Sequence, residues 1–167
     1  IGFGNIGSTV GKYAQALGMD VLAFDPFRDQ ANIIAQGAEC VSFDELLSRS
    51  DIISIHAPYK EQNHHFISDE ALAKMKDGVF LVDAARGGLV DEEALLRALE
   101  SGKVRGAALD VYEKEPPITW DLVKHPKVIA TPHIGAQTKE AQCRAAVDIS
   151  TEVLNALNGK PLRWKIC

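Results

Sequence analysis

Five side chains in this sequence have the types that move protons or grip carboxylates, and each follows an apolar run. His56 stands in H-A-P after DIISI, Arg86 in A-A-R-G-G after VFLVD, and Asp110 after VRGAAL. Glu115 lies five residues further on, before Pro116-Pro117, and His133 stands in T-P-H-I-G after KVIA. An arginine offers a planar fork of donors that binds a carboxylate through two parallel hydrogen bonds. A histidine exchanges a proton near neutral pH. A carboxylate beside it favours the imidazolium and fixes its orientation. Glu115 is the first candidate for that place beside His133, and Asp110 the second. The set suits interconversion of a 2-keto and a 2-hydroxy acid. Arg86 clamps the carboxylate, and His133 gives a proton to the carbonyl oxygen or takes one back in reverse. Such a reaction also needs a hydride donor, which no side chain supplies.

The opening of the chain offers a place for one. Residues 2–7 read G-F-G-N-I-G. Gly2 permits a tight turn, Gly4 has no side chain to hold off a pyrophosphate, and Gly7 lets helix and strand pack closely. A helix N-terminus behind the loop presents N–H groups and partial positive charge to phosphates. A plain turn between strand and helix needs no more than this pattern. Asp25, however, ends the second apolar run 18 residues beyond Gly7. A carboxylate there accepts bonds from ribose hydroxyls of NAD and repels the 2′-phosphate of NADP. The two features together point to dinucleotide binding, with NAD preferred over NADP.

Positioning these residues requires elements that end in one place. The pattern predicts strands ending or lying at 1–3, 20–25, 51–58, 79–88, 104–111 and 127–135. Between them it predicts helices at 5–17, 28–36, 42–50, 68–75, 91–102 and 139–157. Ile6, Val10, Tyr13 and Leu17 share one face of the first helix. Ser42 with Glu45 forms a capping box, Ser68 and Asp91 cap their helices, and Gly18, Gly37 and Gly102 end theirs. Alternating strand and helix implies an α/β fold, a doubly wound parallel sheet of the Rossmann type, with right-handed crossovers. Nearly continuous apolar strands suit a sheet covered on both faces. All the chemistry-bearing residues then crowd the carboxyl edge, beside the glycine loop.

The composition fits that picture. The chain has 167 residues, 46% hydrophobic and 25% charged, with a formal net charge of −5. No basic run speaks for nucleic acid. No apolar stretch approaches the ~20 residues of a membrane helix, and no leader pattern opens the chain. Cys40, Cys143 and Cys167 are scattered and form no C-x-x-C pair, which leads to an expectation of reduced thiols and a cytoplasmic setting. His64 and His65, in QNHHF, are read as surface residues; no metal is expected, because no ligand set accompanies them. Trp120 and Trp164 are read as packing or interface residues.

The segments GFGNIG, HAP, DAARGGLVDEEAL, GAALDVYEKEPP and TPHIGAQTKEAQ together resemble the D-isomer-specific 2-hydroxyacid dehydrogenases, from residue 1 to about residue 162. The resemblance implies a catalytic set of Arg86, Glu115 and His133. It implies NAD as cofactor, held by the glycine loop (Gly2, Gly4, Asn5, Ile6, Gly7), Asp25 and His56-Ala57-Pro58. Ala84, Ala85 and Arg86 fall near the nicotinamide ribose, Asp110 at the carboxamide, and His133, Gly135 and Ala136 complete the set. A small 2-hydroxy or 2-keto acid substrate and a homodimer formed through this domain are implied as well. Where the family usually reads Asn before its Ala/Cys-Ala/Ser-Arg, this chain has Asp83, an acid that either weakens carboxylate binding or points away. The family also carries an N-terminal substrate domain. Residues 1–167 are therefore expected to be one dinucleotide-binding domain, a fragment lacking that domain and the start of the first strand. An alternative is a non-catalytic NAD-sensing module like the corepressors that resemble this family. Another is an NAD-binding domain serving a different chemistry.

Overall fold

A computed structural model of the chain describes residues 1–165, so Cys167 lies outside the described residues. They form two compact units, residues 1–132 and residues from His133 onward.

The first unit is built on parallel strands. Strands β1 (Leu22–Ala23) and β2 (Glu39–Cys40) pair with each other. Strands β3 (Ile52–Ile55), β4 (Val79–Asp83), β5 (Val104–Leu109) and β6 (Val128–Ala130) form a second parallel sheet in that order. Residues 1–3, expected as the end of a strand, are not assigned to one. Their backbone nevertheless links the two sheets: Ile1 N donates to the Ser54 carbonyl, His56 N to the Ile1 carbonyl, and Gly2 N to the Phe24 carbonyl. The chain winds outward in one direction through β1 and β2 and in the other through β3 to β6. Residues 1–3 therefore occupy the point where the strand order reverses.

Helices α3 (Phe43–Arg49), α4 (Asp69–Lys74) and α5 (Glu92–Ser101) cover one face of the four-stranded sheet. Their apolar positions Leu47, Leu72, Leu95 and Leu99 join Ile53, Ile55, Leu81 and Leu109 from the strands in the main core. Local chemistry sets the helix ends as expected in two cases. Ser42 and Glu45 close a reciprocal capping box, and Asp91 Oδ1 accepts the Ala94 N–H before α5, which ends at left-handed Gly102. Ser68 precedes α4 without a side-chain cap bond. Ile52, Phe80 and Ile129 on these strands are exposed.

Helix α1 (Asn5–Ala16) also departs from expectation. Its buried residues are Gly7 and Gly11, while Ile6, Tyr13 and Leu17 face solvent. A Cβ on Gly11 would stand 3.0 Å from the Phe3 ring, so only the glycine face comes this close to the chain below. Helix α2 (Gln30–Ile34) is shorter than the 28–36 expected, because Asp29 caps it by accepting the Ala31 N–H. The second unit consists of residues leading into α6 (Lys139–Leu157), whose bounds match the sequence pattern and whose first turn is capped by Thr138 Oγ1.

Truncating a fully buried sheet residue removes packing on all sides. Leu81→Ala is expected to cost about 3 kcal/mol, and Leu17→Ser on the exposed stripe less than about 0.5 kcal/mol. Urea unfolding of both variants checks this. A loss at Leu17 as large as that at Leu81 overturns the orientation of α1.

Candidate functional site

The glycine loop sits at the reversal point, between residues 1–3 and α1. Its three glycines are required for different reasons. Gly2 has φ +79°, and a Cβ there would lie 2.9 Å from the backbone of His56 and Ala57. A Cβ on Gly7 would lie 2.0 Å from the Gly2 carbonyl oxygen. Gly4 is different: its backbone is ordinary and extended, and a Cβ would meet nothing nearer than an Arg28 guanidinium nitrogen at 3.9 Å. Two glycines thus serve the fold and one keeps space open. No side chain caps the N-terminus of α1, so the first-turn amides of Asn5, Ile6 and Gly7 lie beside that space.

Asp25 is fixed across the same junction. Its Oδ2 accepts the Phe3 N–H at 2.8 Å and its Oδ1 the Phe27 N–H at 2.9 Å. Each oxygen keeps a lone pair for a further donor. These features fit the dinucleotide that the sequence implied: an uncrowded Gly4, uncapped amides for phosphates and an oriented carboxylate for ribose. Arg28, which the sequence reading did not single out, adds a cation beside Gly4; only the folding back of residues 25–28 reveals it.

The ends of β3, β4 and β5 carry the next residues. His56 is hydrogen-bonded through Nε2 to Ser54 Oγ at 2.9 Å. Burial pushes its pKa down to about 4. It is neutral at physiological pH and is not a proton donor there. Ala57 and Pro58 continue this strand end. Asp83 ends β4 and is 2% exposed. Its Oδ1 accepts the Ala85 N–H at 2.9 Å, and burial, opposed by backbone donors at Ala85 and Arg86, pushes its pKa up to about 6. The acid is turned inward while Arg86 is exposed, with Nη1 donating to the Ala85 carbonyl. Of the two readings of Asp83, the structure favours the one in which it points away and shapes the turn that presents Ala84, Ala85 and Arg86.

The loop after β5 is locked to this turn. A Cβ on Gly87 would fall 1.8 Å from the Tyr112 carbonyl oxygen, so the two backbones touch. The Tyr112 hydroxyl donates to the Leu109 and Thr131 carbonyls, and its N–H donates to Glu115 Oε1 at 3.2 Å. Asp110 is buried and accepts the Thr131 hydroxyl at 2.5 Å. Glu115 is exposed in its loop. His133, Gly135 and Ala136 belong to the second unit. There His133 has φ +55° and is exposed, and the Gln137 N–H donates to the Ile134 carbonyl ahead of α6. His64 and His65 are not the plain surface residues expected: their rings stack with centroids 3.7 Å apart, and His65 is paired with Glu113. Among the described residues no His/Cys/Asp/Glu cluster suits a metal ion.

A parallel sheet with a glycine turn at its reversal point and a fixed carboxylate on the neighbouring strand defines a dinucleotide-binding domain. The chain belongs to the D-isomer specific 2-hydroxyacid dehydrogenases, as their NAD binding domain: that family's model matches residues 1–135. The D-3-phosphoglycerate dehydrogenase of Bacillus subtilis (strain 168) is 48% identical over 162 residues, which are 97% of this chain and 31% of that protein. A glyoxylate reductase from Paecilomyes thermophila superposes with a TM-score of 0.90 at 41% identity, covering 96% of this chain and 49% of that one. The D-lactate dehydrogenase from Aquifex aeolicus, complexed with NAD and lactic acid, superposes with a TM-score of 0.87 at 37% identity, covering 95% and 52%. The chain thus spans between about a third and a half of the length of these relatives.

His56 and Asp83 bias stability in opposite directions. Asp83 holds its proton more tightly when folded, so its contribution is present below the ordinary carboxylate pKa and is lost as pH rises from about 4 to about 6. His56 resists protonation when folded, so its contribution is present above the ordinary imidazole pKa and is lost as pH falls from about 6.5 to about 4. Asp83 is worth up to about 3 kcal/mol and half-buried His56 less, because solvent screens it; the two oppose each other in the same window. Asp83→Asn is expected to steepen the rise of melting temperature between pH 4 and 6, and His56→Gln to reverse it. Thermal melts across that range test both; an Asp83→Asn curve parallel to the parent contradicts the buried acid.

Proposed function

We propose that this chain is the cofactor domain of a longer two-domain enzyme that transfers a hydride between NAD(H) and a small 2-hydroxy or 2-keto acid. The carrying observation is the division of labour among the glycines: Gly2 and Gly7 are sterically obligatory, whereas Gly4 faces open space beside uncapped amides. Gly2, Gly4, Asn5, Ile6 and Gly7 hold the pyrophosphate. Asp25 accepts from the adenine ribose and disfavours a 2′-phosphate. His56, Ala57 and Pro58 lie along the dinucleotide. Ala84, Ala85, Asp110, Gly135 and Ala136 serve the nicotinamide end. The bound dinucleotide supplies or accepts the hydride.

The chain's own groups handle charge and protons. Arg86, exposed at the tip of a turn held by Asp83 and Gly87, grips the substrate carboxylate with its fork of donors. His133 donates a proton to the carbonyl oxygen and removes it in the reverse direction. Glu115 favours the imidazolium of His133 and sets its ring orientation. The reading includes a homodimer and a cytoplasmic setting, the latter in keeping with the free Cys40 and Cys143. A phosphorylated 2-hydroxy acid is the favoured substrate, supported by the 48% identity to a D-3-phosphoglycerate dehydrogenase.

Gly4→Val separates binding from folding. The variant should melt with the parent but bind NADH at least about tenfold more weakly by calorimetry, because a side chain then fills the phosphate path. The parent should bind NADH in preference to NADPH, and Asp25→Ala should erase that preference. Equal NADH affinity in Gly4→Val refutes the assignment of the loop. In the whole enzyme, Arg86→Ala should mainly raise KM for the keto acid and His133→Ala mainly lower kcat; an unchanged kcat in His133→Ala ends its role as acid.

A further inference from the structure

A cluster outside the proposed reacting set ties its loops together. Three segments meet beside Gly87 and Gly88: residues 59–67, the Arg86 turn, and the loop running from Tyr112 to Glu115. His65 is at their centre. Its backbone has φ +50°, a conformation that side-chain-bearing residues rarely adopt, and its N–H donates to the Gly88 carbonyl at 2.8 Å. Its ring Nε2 lies 2.5 Å from Glu113 Oε1 and its Nδ1 3.7 Å from Asp91 Oδ2. Glu113 is held a second time, its N–H donating to Glu92 Oε1 at 2.7 Å. Residue 67 continues the link, exchanging backbone bonds with Leu89 and Asp91.

We propose that His65 is a positioning residue whose ring bridges Asp91 and Glu113 and thereby holds the Arg86 turn and the Glu115 loop as one piece. This rests on the functional reading above, in which Arg86 and Glu115 act on a common substrate. The bridge depends on protonation. The imidazolium hydrogen-bonds Glu113 through Nε2 and attracts Asp91 by charge across 3.7 Å, whereas the neutral ring has one N–H and no charge to hold the second carboxylate. The charged and titratable groups facing His65 are Asp91, Glu113 and Glu92, all acidic, together with the stacked ring of His64, which is itself bonded to the Tyr59 hydroxyl. The link is therefore tightest when both ring nitrogens carry protons. Glu113 is two residues from Glu115 and one from Tyr112, whose carbonyl touches Gly87. Release of Glu113 is transmitted to both loops by that contact.

The test uses the isotopically labelled chain without ligand. The ring protons of His65 and the amides of residues 85–88 and 112–115 are followed by NMR against pH, with hydrogen exchange on the same samples. The expected result is that amide shifts in both loops move with the His65 titration. His65→Asn, which tolerates the left-handed backbone, and Glu113→Gln should each abolish that movement and speed exchange in both loops about fivefold. The remaining core amides should be unaffected. Loop amides indifferent to the His65 titration, or exchange unchanged in both variants, overturn the proposal. NADH calorimetry on the same samples keeps the two readings apart. Coupled loops in a chain that fails to bind NADH uphold the bridge and refute the dinucleotide site, while NADH binding with uncoupled loops does the reverse.

Discussion

The backbone of Ile1 and Gly2, hydrogen-bonded to Ser54, His56 and Phe24, is the constraint on which the first unit depends. It joins two small sheets into one sequence of parallel strands and sets where their order reverses. A turn that leaves this junction emerges where two neighbouring strand ends diverge, the one place in such a sheet with room for a ligand. The turn must also reverse direction within six residues. Its first and last glycines accordingly have other backbone within 3 Å of any added Cβ. The seat of α1 follows: with Gly7 against the Gly2 carbonyl and Gly11 against Phe3, the helix presents glycine inward and its apolar stripe outward.

That outcome marks the boundary of what was legible in the sequence. Element order, the capping box at Ser42, the Asp91 cap and the bounds of α6 follow from local rules, because the residues that decide them are neighbours in the chain. The face of α1 does not. Apolar periodicity finds the stripe through Ile6, Val10, Tyr13 and Leu17, but a close backbone approach outranks it, and only the spacing of Gly7 and Gly11 could have given warning. Strand β2 was missed because two residues, Glu39 and Cys40, show no period of two; only their partners in β1 make them a strand. His56, Arg86 and Asp110 were legible as a set, since parallel pairing of β3, β4 and β5 brings their ends to one edge. The tasks of Asp83, His65 and Glu113 were not, because each depends on a partner distant in sequence or on a backbone turn.

The histidines differ in what holds them. The sequence has five. His56 is bonded to Ser54 and held neutral by burial. His64 is stacked on His65 and bonded to Tyr59, and His65 is paired with Glu113. His125 accepts the Lys127 N–H through Nδ1. Four of the five thus have local partners within the first unit, and His133 follows a strand end in the second. The carboxylates are held locally too: Asp110 accepts from Thr131, Asp83 from Ala85, Asp25 from Phe3 and Glu115 from the Tyr112 N–H.

The division of roles also bears on specificity. Proteins named for phosphoglycerate, glyoxylate and lactate match this chain at 37–48% identity with the same fold. In the proposed reading Arg86 addresses a carboxylate and His133 a carbonyl oxygen, and every 2-keto acid has both. Neither contact senses what lies beyond the second carbon. Discrimination by a site requires groups that meet the differing part of the substrate, or are left unpaired without it. In that reading substrate choice falls to whatever groups meet the rest of the substrate, while Arg86 and His133 address only what every 2-keto acid shares.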